Sequence, residues 1–199
     1  MKERAEIRRA LGWTGPRVIT VRNLVPRTGV DMLPQCAYLL KDRFPELHWE
    51  IVGTGPLLAP IRALAQGLGV DARMHLAGFL DDREVQRRMI AADVFVLPTR
   101  SLEGFGLVTA EANMAGLPVV ATPVGANPEV VQRVPGNRLA ARPDPEAIAE
   151  AVAETLAQWS ERGLEARVAL MRAARRAFDW RLHAEALLEE VERLCGSRI

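Results

Sequence analysis

Six short apolar runs, each ending in a polar, glycine or proline turn, alternate with stretches of helical periodicity along this chain. Residues 17–22, 48–52, 73–77, 93–97, 117–121 and 138–141 read as strands. Residues 3–11, 30–43, 57–68, 82–91, 107–115, 127–132, 145–159, 163–177 and 181–195 read as helices. Pro34 is tolerable because it falls in the first turn of its helix. Strands this short, separated each time by a helix, cannot pair as hairpins. They predict an α/β fold, a Rossmann-like three-layer parallel sheet of about six strands with helices on both faces.

Ligands of such sheets bind beyond the carboxyl ends of the strands. The most informative strand end lies between Leu97 and Ala112, which reads Leu-Pro-Thr-Arg-Ser-Leu-Glu-Gly-Phe-Gly-Leu-Val-Thr-Ala-Glu-Ala. A buried strand leads into a turn bearing Gly104 and Gly106, and a helix closed by Gly116 follows. Free N–H groups and the positive end of the helix dipole make such a junction an anion site, and phosphate is its usual occupant. Glu103 and Glu111 bracket the helix start. Phe105 and Glu111 are about 9 Å apart along a helix axis. A carboxylate accepts two hydrogen bonds from a vicinal diol, so two of them flanking a diphosphate suit the sugar and ribose of a nucleotide diphosphate-sugar. The same residues also read as a glycine turn with two solvated glutamates.

Glu103-Gly-Phe-Gly-Leu-Val-Thr-Ala-Glu111 resembles the E-x7-E motif of retaining GT-B glycosyltransferases, the group 1 family (family four). The resemblance implies that Glu103 contacts the transferred sugar and that Glu111 holds the ribose. It places the diphosphate on the amides near Gly106, Leu107 and Val108, with Gly104 and Phe105 in the same donor-binding turn. Arg22, after the first strand, matches a family arginine that neutralises the departing diphosphate. The family's lysine is Thr28 here, which leaves Arg27 as the candidate second cation. Gly53-Thr-Gly55 resembles the loop beside the diphosphate and base, and reads equally as a tight turn into a helix. Phe79 and Leu80 match backbone that reads the base edge. Residues 115–129 resemble a further glycine- and proline-rich family stretch, with Ala126 in place of its second glycine.

The resemblance covers nearly all of the chain but only half of a GT-B enzyme. The chain is expected to be a single donor-binding domain, 1–199, excised or truncated from a longer protein and nearly inactive alone. Its helices at 163–195 are expected to pack on it or to reach toward the missing N-terminal domain. That missing half would bind the acceptor and make any peripheral membrane contact. The partner expected at this chain is the nucleotide-sugar donor.

A formal net charge of +1 gives no reason to expect nucleic acid or an anionic membrane as partner. No apolar stretch is long enough to span a bilayer, and the first residues are charged where a signal peptide is apolar. Two distant cysteines, Cys36 and Cys195, suit reduced thiols in the cytoplasm. The three histidines are scattered and no D-x-D occurs, so no metal and no other cofactor is expected. Two alternatives stand beside the transferase reading. One is a non-catalytic nucleotide-sugar-binding module. The other is a glycoside hydrolase using Glu103 and Glu111 as acid and base, disfavoured because a neutral glycoside has no use for an anion site.

Overall fold

Strand residues of odd and even number face opposite sides of a sheet, and this parity sorts the core into two layers. The computed structural model describes residues 2–196. Met1 and residues 197–199, the ends of the expected 1–199 domain, lie outside the described residues. Six strands, β1 (Arg17–Val21), β2 (His48–Val52), β3 (Met74–Gly78), β4 (Val94–Leu97), β5 (Val119–Ala121) and β6 (Arg138–Leu139), form one sheet in the order β3-β2-β1-β4-β5-β6. Every pairing is parallel. Val18, Trp49, Ile51, Val94, Val96 and Val120 point to one face. There they meet α2 (Leu33–Leu40), α3 (Leu58–Gly67) and α7 (Pro145–Ser160). Ile19, Val52, Phe95, Leu97, Val119 and Ala121 point to the other. That face is covered by α1 (Lys2–Ala10), α4 (Asp82–Ala91), α5 (Leu107–Met114) and α6 (Asn127–Gln132). The central strands are thus buried on both sides, the burial that parallel sheets require.

Local chemistry sets the element ends. Asp81 caps α4 by accepting from the Glu84 N–H at 2.8 Å, and Asp144 caps α7 through the Ala147 N–H at 2.8 Å. The helix expected over 30–43 is shorter. Left-handed Gly29, at φ 69°, separates two 3-10 turns, Pro26–Thr28 and Val30–Met32, and the α-helix starts only at Leu33. Strand β5 starts at Val119, after Pro118, which has no N–H to give a ladder.

Helix α8 (Gly163–Ala177) packs on α5 and buries Leu170 and Ala174 beside Val134. Helix α9 (Trp180–Cys195) buries none of its residues. No helix among the described residues is long and apolar enough to cross a membrane.

Candidate functional site: a cleft at the β1–β4 switch point

The strand order reverses direction between β1 and β4, and a cleft of about 630 Å³ opens beyond their carboxyl ends. Its floor is the start of α5. Gly106 caps that helix in the left-handed conformation, φ 69° and ψ 56°, and no side chain caps it. The first turn of a helix has no internal acceptor for its N–H groups. Among the described residues the amides of Gly106, Leu107 and Val108 have no hydrogen-bond acceptor, and the series begins with Thr109 N–H donating to Gly106 O at 2.7 Å. Three unsatisfied donors and the helix dipole therefore face the cleft together.

Arg22 leaves β1 beside them. Its backbone N–H is held by Val52 O at 2.9 Å, and its side chain meets Glu103 at 2.8 Å, Nη2 to Oε2. Both side chains are about one-tenth exposed. Thr99 Oγ1 donates to the same carboxylate oxygen at 2.9 Å. The backbone of Glu103 is fixed as well, because its carbonyl accepts from Ala126 N–H at 3.0 Å. Gly125 is needed under that carbonyl, since a Cβ there would stand 2.2 Å from it. Leu102, just before Glu103, takes φ 59° and is the one non-glycine residue with positive φ among those described. A left-handed leucine is unfavourable by about 1–2 kcal/mol, so the loop holds Glu103 at some conformational cost. Glu111 reaches the same cleft from one face of α5 and is exposed.

Of the residues singled out in the sequence, Arg22, Arg27, Gly53, Phe79, Leu80, Glu103, Phe105, Gly106, Leu107, Val108 and Glu111 line this one cleft. Gly55 and Gly104 do not. Gly55, at φ 154°, lies against Leu24, whose carbonyl would be 2.4 Å from a Cβ, so the two chain segments approach closely there. Gly104 is exposed and has open space around it. Thr28 supplies no cation. It is buried, and its hydroxyl donates to Asn23 O and Val25 O at 2.8 and 2.7 Å, tightening the turn that presents Arg27. The carbonyl of Arg27 in turn accepts from the N–H groups of Arg100 and Ser101, which joins this turn to the loop before Glu103. Asn23, Thr54 and Asp82 also line the cleft. Each lies just past the end of β1, β2 or β3, and that position was the only sequence signal for them.

Gly53, at φ 131°, shows how closely the strand ends meet, because a Cβ there would stand 1.8 Å from Arg22 O. Gly53→Ala is expected to push the Arg22 loop outward, lowering stability by about 1–3 kcal/mol and weakening nucleotide binding with it. Thermal unfolding and a nucleotide titration of the variant check this. Unchanged affinity would mean that the Arg22 loop is not part of the binding surface.

Among the described residues no three His, Cys, Asp or Glu side chains converge in a way that holds a metal ion.

A parallel sheet in 3-2-1-4-5-6 order, with an open helix N-terminus at its switch point, defines a Rossmann-like nucleotide-binding architecture. The family model for "Glycosyl transferases group 1" matches residues 3–177, and the chain belongs to that family. Over 148 residues it is 35% identical to the GDP-mannose-dependent alpha-(1-6)-phosphatidylinositol monomannoside mannosyltransferase of Mycolicibacterium smegmatis, which is 71% of this chain and 39% of that protein. Among solved structures it resembles WaaG, a glycosyltransferase involved in lipopolysaccharide biosynthesis. The identity is 26% and the TM-score 0.74, covering 89% of this chain and 46% of that one. The fold also matches Anabaena Alr3699/HepE, solved in complex with UDP. There the TM-score is 0.81 at 21% identity, covering 96% of this chain and 53% of that one. These likenesses confirm the GT-B fold expected from the sequence. The chain spans about two fifths of the mannosyltransferase and about half of each solved chain.

Proposed function

We propose that this chain is the donor-binding half of a retaining glycosyltransferase that moves a sugar from a nucleotide diphosphate-sugar to an acceptor hydroxyl. The observation that carries the reading is the cleft itself, where three unsatisfied amides of α5 stand between Arg22, Glu103 and Glu111. A diphosphate placed there satisfies the amides and sits against the positive end of α5. Arg22 and Arg27 neutralise the charge that builds up on the diphosphate as the sugar departs, the place at which preorganised donors have most effect. Glu111 accepts from the ribose hydroxyls. Glu103 accepts from sugar hydroxyls with its carboxylate already held by Arg22 and Thr99. The cationic work is done by guanidinium groups and a helix terminus, so donor binding needs no metal. The named mannosyltransferase relative supports a nucleotide-sugar as donor. The acceptor binds to the half of the enzyme outside this chain, and the domain alone turns over little because half of the orienting groups are absent.

Calorimetric titration with GDP, UDP and ADP tests the reading. At least one should bind, with unchanged affinity in EDTA. Glu111→Ala should weaken that nucleotide about 10- to 100-fold, the effect of losing charge-assisted hydrogen bonds worth about 1.5–3 kcal/mol. Glu103→Ala should matter only when the sugar is attached. Silence from all three nucleotides overturns the donor-domain assignment, and equal losses from both variants overturn the separate roles.

A further inference from the structure

At the opposite pole of the molecule, near the amino ends of β1, β2 and β3, lies a second cavity of about 430 Å³ that the donor cleft does not use. Its charged and titratable lining is Arg17, Arg73, Arg88, Glu50, His48 and His75. Glu50 is 1% exposed and already has partners, the Arg88 guanidinium and His75 Nδ1, the latter at 2.9 Å. Asp93, the neighbouring carboxylate, is met by Arg4, Arg8 and Arg167 at 2.6, 3.1 and 3.4 Å. Glu84 stands 3.8 Å from the Nε of Arg88 and pairs more closely with Arg87, at 2.6 Å.

Among the described residues Arg17 has no direct ion-pair partner; Glu50 and Asp93 act on its guanidinium only through space. It is only 9% exposed, and its side chain makes no hydrogen bond or salt bridge among the described residues. Its Nε is fully buried and unpartnered, and its guanidinium lies over the Trp13 ring, 5.1 Å from the centroid. Burial holds this guanidinium below the usual arginine range, although Glu50 pulls the other way. A largely buried guanidinium whose Nε has no acceptor is unfavourable, and proteins ordinarily supply a buried cation with an anion.

We propose that this cavity is an anion site for a small phosphoryl-bearing molecule, with Arg17 as its principal ligand. Three arginines against one carboxylate leave the lining with a surplus that matches a dianion, the main form of a phosphate group at neutral pH. Guanidinium N–H groups in a planar fork suit phosphate oxygens. The cavity is larger than a phosphate ion, and Trp13, Leu11 and Met74 give its remainder an apolar wall. The site is separate from the donor cleft, so this inference does not depend on the function proposed above.

The test is a titration of the 199-residue chain with inorganic phosphate at constant ionic strength, following the histidine ring resonances by NMR. His48 and His75 line the cavity, whereas His183 lies on α9 and serves as an internal control. The signals of His48 and His75 should shift saturably while that of His183 stays still. Arg17→Gln should weaken the response about tenfold or more. It should also raise thermal stability in phosphate-free buffer, because it removes an unpaired buried charge. Arg17→Lys should retain part of the binding. Three outcomes overturn the site: no shift, a shift reproduced by chloride at equal ionic strength, or an unaltered response in Arg17→Gln.

Discussion

Arg22→Ala is expected to lower sugar transfer by the whole enzyme about 10²- to 10³-fold, the usual effect of removing one preorganised donor from a developing oxyanion. The same change should weaken nucleotide diphosphate binding by this chain. It acts twice, because Arg22 faces the cleft and is also the nearest counter-charge of Glu103, at 2.8 Å. Both side chains are nearly excluded from water, so deleting one leaves the other uncompensated, at a cost of about 3–5 kcal/mol for a fully buried pair. Thr99, still donating at 2.9 Å, offsets part of this. Activity must therefore be measured on protein shown to be folded. Glu103→Gln provides the comparison, since it keeps the shape and the Thr99 contact while removing the charge. Arg22→Ala, Glu103→Gln and the double variant form a cycle. Coupling above about 0.5 kcal/mol in stability is expected for a pair in contact. Nucleotide affinity unaltered by Arg22→Ala would remove Arg22 from the donor site and leave it as a structural strut for Glu103.

That pair also marks where sequence reading stops. The strands were legible because each is a short apolar run with an abrupt end, and Val94–Leu97 is buried at every position. The 97–112 turn was legible because Gly106 and the helix after it are contiguous in the chain. The family resemblance assigned Arg22 and Glu103 to one site, but nothing along the chain says that they touch. Their contact follows from β1 and β4 lying side by side at the switch point, a tertiary fact. Gly55 is ambiguous in the sequence for a related reason. A glycine beside a strand end signals either a ligand or another piece of backbone at close range, and here the neighbour is Leu24. Thr28 could be read only as a missing cation, because its partners are carbonyls of its own turn. The apolar periodicity of 30–43 runs on through the 3-10 turn at Val30–Met32, so it predicts a longer helix than Leu33–Leu40.

Asp93→Asn is expected to destabilise the fold by about 3 kcal/mol, the lower end of what breaking a buried ion pair costs, because this network is only partly buried but has three arginines on one carboxylate. For a chain of this size that lowers the melting temperature by roughly 6–12 °C. Asp93 is the point at which four elements are tied together. Its carboxylate accepts from Arg4 and Arg8 of α1, from Arg167 of α8, and from the backbone N–H of Arg17 at 2.8 Å. Its own N–H donates to Arg17 O at 2.8 Å, which fixes the first residues of β1 and β4 against each other. The arginines are already under electrostatic pressure. Burial, with Arg4 next, pulls the Arg167 guanidinium down to about 10, and Asp93 opposes that pull. An amide at position 93 keeps some hydrogen bonds but lets three cations face one another without an anion. The loss should therefore shrink as salt is raised, because added anions screen the repulsion. Chemical denaturation with urea, which is uncharged, at low and high sodium chloride measures both effects. If Asp93→Asn costs less than about 1 kcal/mol at low salt, the arginines are free to turn to solvent. Attachment of α1 and α8 would then rest on the apolar seats of Ile7 and Leu170 instead.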